Sequence, residues 1–164
     1  MPARADGITC APPSRYTAAE REQFLVLVHM GGEANATPDR IRRAEALAMA
    51  WSGGDLIGIA ALKRPLDSYR EKVARRSGVS LRSSEWPYEL GYVFVLPNHR
   101  GHGYAKRLVE HAVRAAGRRN VFATVRTNNE PMQATLRRFG FAQAGRDYLS
   151  DDAERTLSLW TRRA

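Results

Sequence analysis

Apolar positions recur along the chain with two different periods, and each change of period marks a new element. Phe24, Leu25, Leu27 and Val28 share one helical face. The Thr17-Ala18-Ala19-Glu20 stretch ahead of them is a capping-box pattern, so a helix is predicted to end near Gly31-Gly32. Thr37-Pro38 opens a second short helix that runs to about Arg43, with threonine as cap and proline in the first turn. The period then shortens. Glu45 to Trp51 and Leu56 to Leu62 are apolar runs on either side of Ser52-Gly53-Gly54-Asp55, which predicts a β-hairpin, although the alanines of the first run leave a helix open there.

From Lys63 to Pro87 the chain turns polar and basic, with a short helix predicted around Asp67 to Arg76 and a turn at Ser77-Gly78; this stretch reads as an insertion at the rim of a sheet. Tyr88 to Leu96 is a nearly continuous apolar run, the pattern of a buried central strand, and Pro97 stops it. Ala105, Leu108, Val109, Ala112, Val113 and Ala116 then recur at helical spacing up to Gly117. A strand over Asn120 to Arg126 and a helix over Pro131 to Phe139 follow, the latter closed by Gly140. Phe141 to Gly145 and Arg155 to Thr161 read as two last strands joined around Ser150-Asp151-Asp152. The fold class is therefore α/β, a mixed sheet with helices on its faces, in one domain without internal repeats.

Length and composition narrow this picture. A chain of 164 residues buries a core without disulfides or a structural metal, and the single cysteine, Cys10, has no partner with which to form a bridge or a cysteine zinc site. A reducing cytoplasm is the expected setting. No apolar run reaches the roughly 20 residues that span a bilayer, and Met1-Pro2-Ala3-Arg4-Ala5-Asp6 lacks the apolar stretch of a secretory signal, so no membrane role is expected. A net charge of +9 favours an anionic ligand or partner, whether nucleic acid, a membrane surface or a phosphorylated cofactor. Lysines stand only at positions 63, 72 and 106, and the arginine pairs are scattered along the chain, which argues against a dedicated nucleic-acid face. His29, His99, His102 and His111 have no metal-ligand spacing, so no metal is expected.

The chemistry concentrates between the central strand and the helix after it, in Asn98-His99-Arg100-Gly101-His102-Gly103-Tyr104-Ala105-Lys106. A strand that enters a glycine-rich turn and then a helix presents backbone N–H groups at the positive end of the helix dipole, a natural seat for phosphate. Gly101 and Gly103 keep side chains out of the way, while Arg100 and Lys106 add charge on either side. The nucleoside-triphosphate pattern G-x-x-x-x-G-K-[ST] is absent. The dinucleotide pattern G-x-G-x-x-G fails because its third glycine would fall at Lys106. What remains is R-x-x-G-x-A at Arg100, Gly103 and Ala105, directly after Val95 and Pro97.

In this motif the sequence resembles the GNAT superfamily of N-acetyltransferases, whose pyrophosphate loop carries [QR]-x-x-G-x-[GA] after the fourth strand. Asn129 through Gly140-Phe141 is similar to the family's second landmark, N-x(10)-G-F. The resemblance implies a single mixed, mostly antiparallel sheet of about six to seven strands with about four helices. It implies acetyl-CoA as acyl donor and an amine-bearing acceptor as the second substrate. A homodimer is compatible with the family, and an RNA-borne amine is one open class of acceptor.

Residue by residue, the resemblance implies that the backbone of Val93, Phe94 and Val95 pairs with the pantetheine arm. Gly101, His102, Gly103, Tyr104, Ala105 and Lys106 would hold the pyrophosphate with Arg100, and Asn129 would bond nearer the thioester. A Val95 N–H contact to the thioester oxygen and Glu89 as general base complete the family plan, with a solvent-facing strand start as the plain alternative for Glu89. The position seven residues after Asn129, where many members carry a tyrosine that protonates the departing thiolate, is Leu136. Tyr104 and Tyr148 are the other tyrosines to consider for that proton. The substitution also raises a second reading, a regulatory acyl-CoA-binding domain without catalysis. The acceptor is expected to meet the first two helices, the basic segment and the loop near Asp147 to Asp152.

Overall fold

The capping box at Thr17 forms as the sequence predicts. Glu20 N–H donates to Thr17 Oγ1 at 3.1 Å, Thr17 N–H donates to Glu20 Oε1 at 2.9 Å, and helix α1 (Ala18–Met30) follows. The computed structural model describes residues 4–164. Met1–Ala3, the first half of the stretch read above as lacking an apolar signal, lie outside the described residues. The strands are β1 (Gly7–Ala11), β2 (Ala46–Ser52), β3 (Asp55–Lys63), β4 (Tyr88–Val95), β5 (Val121–Arg126), β6 (Ala142–Leu149) and β7 (Thr156–Arg162). The remaining helices are α2 (Pro38–Arg42), α3 (Asp67–Ser77), α4 (Tyr104–Ala115) and α5 (Glu130–Arg138). Hydrogen bonding sets the sheet order β1-β2-β3-β4-β5-β7-β6. The class is the expected mixed, mostly antiparallel α/β sheet, with seven strands and five α-helices among the described residues.

Strand β1 was not predicted. It is only five residues long, every one of them half-buried, and Thr9 and Cys10 blur any alternation. Its place is fixed by antiparallel pairing with β2, from Gly7↔Trp51 to Ala11↔Leu47. The alanine-rich run that left a helix open is strand β2. Ala46 through Trp51 are all buried, the pattern of a strand covered on both faces.

The chain divides into two compact units, and β4 contributes to both. The first comprises residues 4–63 and 90–115, the second residues 64–89 and 116–164. In the first, α1 and α2 cover a cluster that includes Phe24, Ile41, Leu47, Met49 and Ile59, against which Tyr92 and Phe94 of β4 pack. Helix α4 lays Leu108, Val109, Ala112 and Val113 on β2 and β3. Gly58 of β3 has no room for a side chain, since a Cβ there would lie 3.0 Å from Leu108 and 3.3 Å from Val95.

In the second unit β5 pairs in parallel with β4, at Tyr88↔Val121 and Glu89↔Phe122, and antiparallel with β7. The segment read as a basic insertion supplies Val73, Leu81 and Trp86 to the core there, together with Phe122 and Leu159. Helix α3 packs on β6 and β7. Strand β6 bulges between Ala144 and Tyr148, and at Gly145 (φ +66°) a Cβ would stand 2.3 Å from the Ser77 carbonyl oxygen. That approach admits only glycine.

Candidate functional site

The turn before α4 is built from main chain. Arg100 ends a short 3-10 turn over Pro97–His99, and Gly101 and Gly103 then take φ of +82° and +81°. Side chains rarely adopt that conformation, which explains glycine at both places. A Cβ at either would meet nothing within 4 Å, so the outer side of the turn is open. Arg107 donates to the Gly103 carbonyl at 3.2 Å, within the first turn of α4. The N–H groups of Tyr104, Ala105 and Lys106 precede that bond and have no intrahelical acceptor. Gly103 has no side chain with which to cap them. An open row of donors at the positive end of a twelve-residue helix is a seat for an anion, and these residues fit the pyrophosphate of an acyl-CoA.

Arg100, expected to flank the turn with its charge, also ties it down. Its Nε donates to the Val95 carbonyl at 2.9 Å, and its guanidinium lies 5.5 Å from the centre of the Phe94 ring. Phe94 in turn abuts Gly31 at the end of α1, where a Cβ would come within 3.3 Å of the ring. Lys106 and His102 are exposed, and Val93 is half-buried. Tyr92 stands in β4 with φ +56°, a conformation unusual for a tyrosine and a local strain in the strand. Its ring is held edge-on to Phe24 at 6.5 Å and under the Lys63 ammonium at 4.3 Å.

The second unit carries a side-chain cluster around Glu89. The residue is 2% exposed, so the alternative of a solvent-facing strand start does not hold. Tyr69 of α3 donates its hydroxyl to Glu89 Oε2 at 2.7 Å and lies 3.5 Å from Thr124 Oγ1 on β5. Burial, and next the Glu89 charge, push the Tyr69 phenol well above the ordinary tyrosine range. Tyr148, which the sequence reading put in a loop, instead lies in β6, which runs on past Gly145 to Leu149, beside the same core, and burial with the Glu89 charge pushes it up to about 12. Arg70 is 5% exposed, donates to the Trp86 carbonyl, and sits 5.8 Å from the centre of the Phe122 ring. Burial lowers its pKa, while the Asp67 and Glu89 charges oppose that shift.

Asn129 is the N-cap of α5, where its Oδ1 accepts from the Met132 N–H at 3.2 Å. Leu136 is 0% exposed and belongs to the core, so the usual tyrosine position here is a packing position. Among the four histidines, His29 Nε2 is 2.9 Å from the Ala36 carbonyl and His111 lends its own carbonyl to the Cys10 thiol at 3.6 Å. Among the described residues no helix is long and apolar enough to cross a membrane. Sequence reasoning missed Tyr69 and Thr124 as partners of Glu89. Tyr69 lay in a segment without a motif, and no spacing signal links positions 69, 89 and 124.

Fold and turn together describe a class, a mixed α/β sheet with a main-chain turn open at the start of a helix. Solved structures of similar fold match along nearly the whole chain. An acyl-CoA N-acyltransferase from Pseudomonas aeruginosa gives a TM-score of 0.66 at 21% identity over 96% of this chain and 99% of its own. Arabidopsis thaliana Naa50, solved with the bisubstrate analogue CoA-Ac-MVNAL, gives 0.69 at 14% identity over 96% and 99%. Escherichia coli ElaA gives 0.65 at 14% identity over 97% and 100%. At such identities the likeness is one of fold. No curated protein matches the sequence. The sequence model of the acetyltransferase (GNAT) family matches residues 14–141, and the chain belongs to that family.

Proposed function

We propose that the protein is an N-acetyltransferase that moves the acetyl group of acetyl-CoA to a primary amine by direct attack of the amine on the thioester. The observation that carries this reading is the uncapped start of α4, where Gly101 and Gly103 open the way to the N–H groups of Tyr104, Ala105 and Lys106. His102 and Lys106 add to the same anion seat, and Arg100 keeps the turn against β4. The backbone of Val93, Phe94 and Val95 takes the pantetheine arm, and Asn129 keeps its amide nitrogen for the donor while its oxygen caps α5.

In the reaction the amine nitrogen bonds to the thioester carbon and the carbon–sulfur bond breaks. The Val95 N–H steadies the oxygen as charge develops there. The nitrogen's surplus proton passes through water to Glu89. Coenzyme A leaves as a thiolate and takes its proton from solvent, since Leu136 has none to give. A reaction that draws on acetyl-CoA, in a protein whose one cysteine is free, belongs in the cytoplasm.

Isothermal titration with acetyl-CoA, followed by thiol release with a panel of tyramine, spermidine, free amino acids and a peptide with a free amino terminus, tests the proposal. Saturable binding with amine-dependent release is expected. Absence of binding would sink the donor assignment. Binding without transfer to any of these amines would favour the second reading, a regulatory acyl-CoA-binding domain, which the buried Leu136 already motivates.

A further inference from the structure

Glu89 lies in an apolar strand, yet a base must hold its charge there until the proton arrives. Withdrawal from water disfavours a carboxylate unless donors compensate. The groups that face it are identifiable. Tyr69 and Arg70 come from α3, Tyr148 from β6, and the Thr124 hydroxyl from β5 lies behind Tyr69. Of these, Tyr69 donates a hydrogen bond to the carboxylate, at 2.7 Å on Oε2.

We propose that Tyr69 is the positioning residue of Glu89, its hydroxyl fixing the orientation in which the carboxylate meets the proton. This rests on the reading of Glu89 as the base. The phenol suits the task because its own proton is hard to remove, so it stays a donor throughout the working range of the base. A second acceptor, Thr124 Oγ1 at 3.5 Å, is within reach of the hydroxyl when Glu89 takes up its proton and needs the donor less.

The ring and the helix of Tyr69 each have their own contacts. The ring packs against the core cluster of Val73, Leu81, Trp86, Phe122 and Leu159. The helix that carries it is tied to β6 and the loop after it. Arg146 donates to the Arg75 carbonyl at 3.1 Å, and Asp151 accepts from Lys72 at 2.8 Å and pairs with Arg76 at 2.7 Å. Gly145 closes the same joint at the C-terminal end of α3. A hydroxyl on a ring packed in this way favours one orientation of the carboxylate.

The test compares the wild-type protein with Tyr69→Phe and Glu89→Gln, because phenylalanine keeps the ring and removes only the donor. Infrared spectra across pH, with the Glu89→Gln spectrum subtracted, isolate the Glu89 carboxyl band without any need for turnover. In Tyr69→Phe the Glu89 band is expected to change frequency as the carboxylate loses its donor. Acetyl transfer to the best amine of the panel above is expected to fall about tenfold in kcat, with the KM for acetyl-CoA unchanged. A band at the wild-type frequency overturns the proposal and leaves the function of the protein untouched. A band that moves while Glu89→Gln transfers acetyl at the wild-type rate overturns the assignment of Glu89 as base, and Tyr69's role in the reaction with it. A shift in melting temperature alone, with the band and kcat unchanged, marks Tyr69 as merely structural and also overturns the proposal.

Discussion

The turn before α4 and the cluster around Glu89 both arrange hydrogen-bond donors, by opposite means. The turn is continuous in sequence and offers main-chain donors, so its side chains can vary while two glycines cannot. The cluster draws Tyr69, Glu89, Thr124 and Tyr148 from four elements and relies on side chains alone. Backbone recognition is therefore local and tolerant, and side-chain recognition is dispersed and exacting.

The sharpest way to break this contrast is at Gly103. Gly103→Val places a β-branched residue at φ +81° and crowds the open side of the turn. Acetyl-CoA affinity, read by titration calorimetry, is expected to fall about 100-fold, with a smaller loss of stability, about 1 kcal/mol, from the strained backbone. An equal loss of stability would show that the turn supports the fold as much as the ligand. Gly145→Ala is the counterpart on the other side. Its Cβ would collide with the Ser77 carbonyl at 2.3 Å and Val79 at 2.7 Å, so unfolding in denaturant should show a loss of about 2–4 kcal/mol, with acetyl-CoA affinity nearly kept in the folded fraction.

The two units should also respond to opposite ends of the pH scale. Glu20 of α1 is held down to about 2, chiefly by its hydrogen bond from Arg4, against an ordinary value of 4.5. Its contribution is complete above pH 4.5 and is lost as pH falls through about 2. Tyr148 is raised from 10.0 to about 12, so its contribution is complete below pH 10 and is lost as pH rises through about 12. Circular dichroism on Glu20→Gln and Tyr148→Phe checks both arms; each variant should flatten only its own limb. The smallest effect belongs to Asp151→Asn. The exposed pairs with Lys72 and Arg76 are screened by water, and the melting temperature should change by no more than about 1 °C.

The legibility of the molecule follows the same division. The capping box at Thr17, the hairpin around Gly53-Gly54 and the amphipathic face of α4 are patterns over neighbouring residues, and all three appear where the periodicity put them. Strand β1 escaped because its half-buried residues owe their extended form to pairing with Ala48 and its neighbours, some forty residues downstream. The R-x-x-G-x-A turn was readable for the reason that the α4 helix was: its parts are adjacent. Glu89 was readable as a carboxylate in an apolar run, but its tyrosine partner was not, because a 2.7 Å contact across twenty residues leaves no trace in spacing. Leu136 announced a missing tyrosine in the sequence, and the structure explains it as core.

Neither unit is one unbroken stretch, and this gives the protein a timetable. Synthesis completes the parts of the first unit at Ala115, so its strands and α4 can close while the rest is still being made. The second unit waits for β7, which ends at Arg162. At about 5–20 residues per second, α3 and β5 spend several seconds without the strands that cover them. The nascent chain thus acquires its anion seat first. Tyr69 and Glu89, although translated before that seat, are the last to gain the surroundings that hold them together.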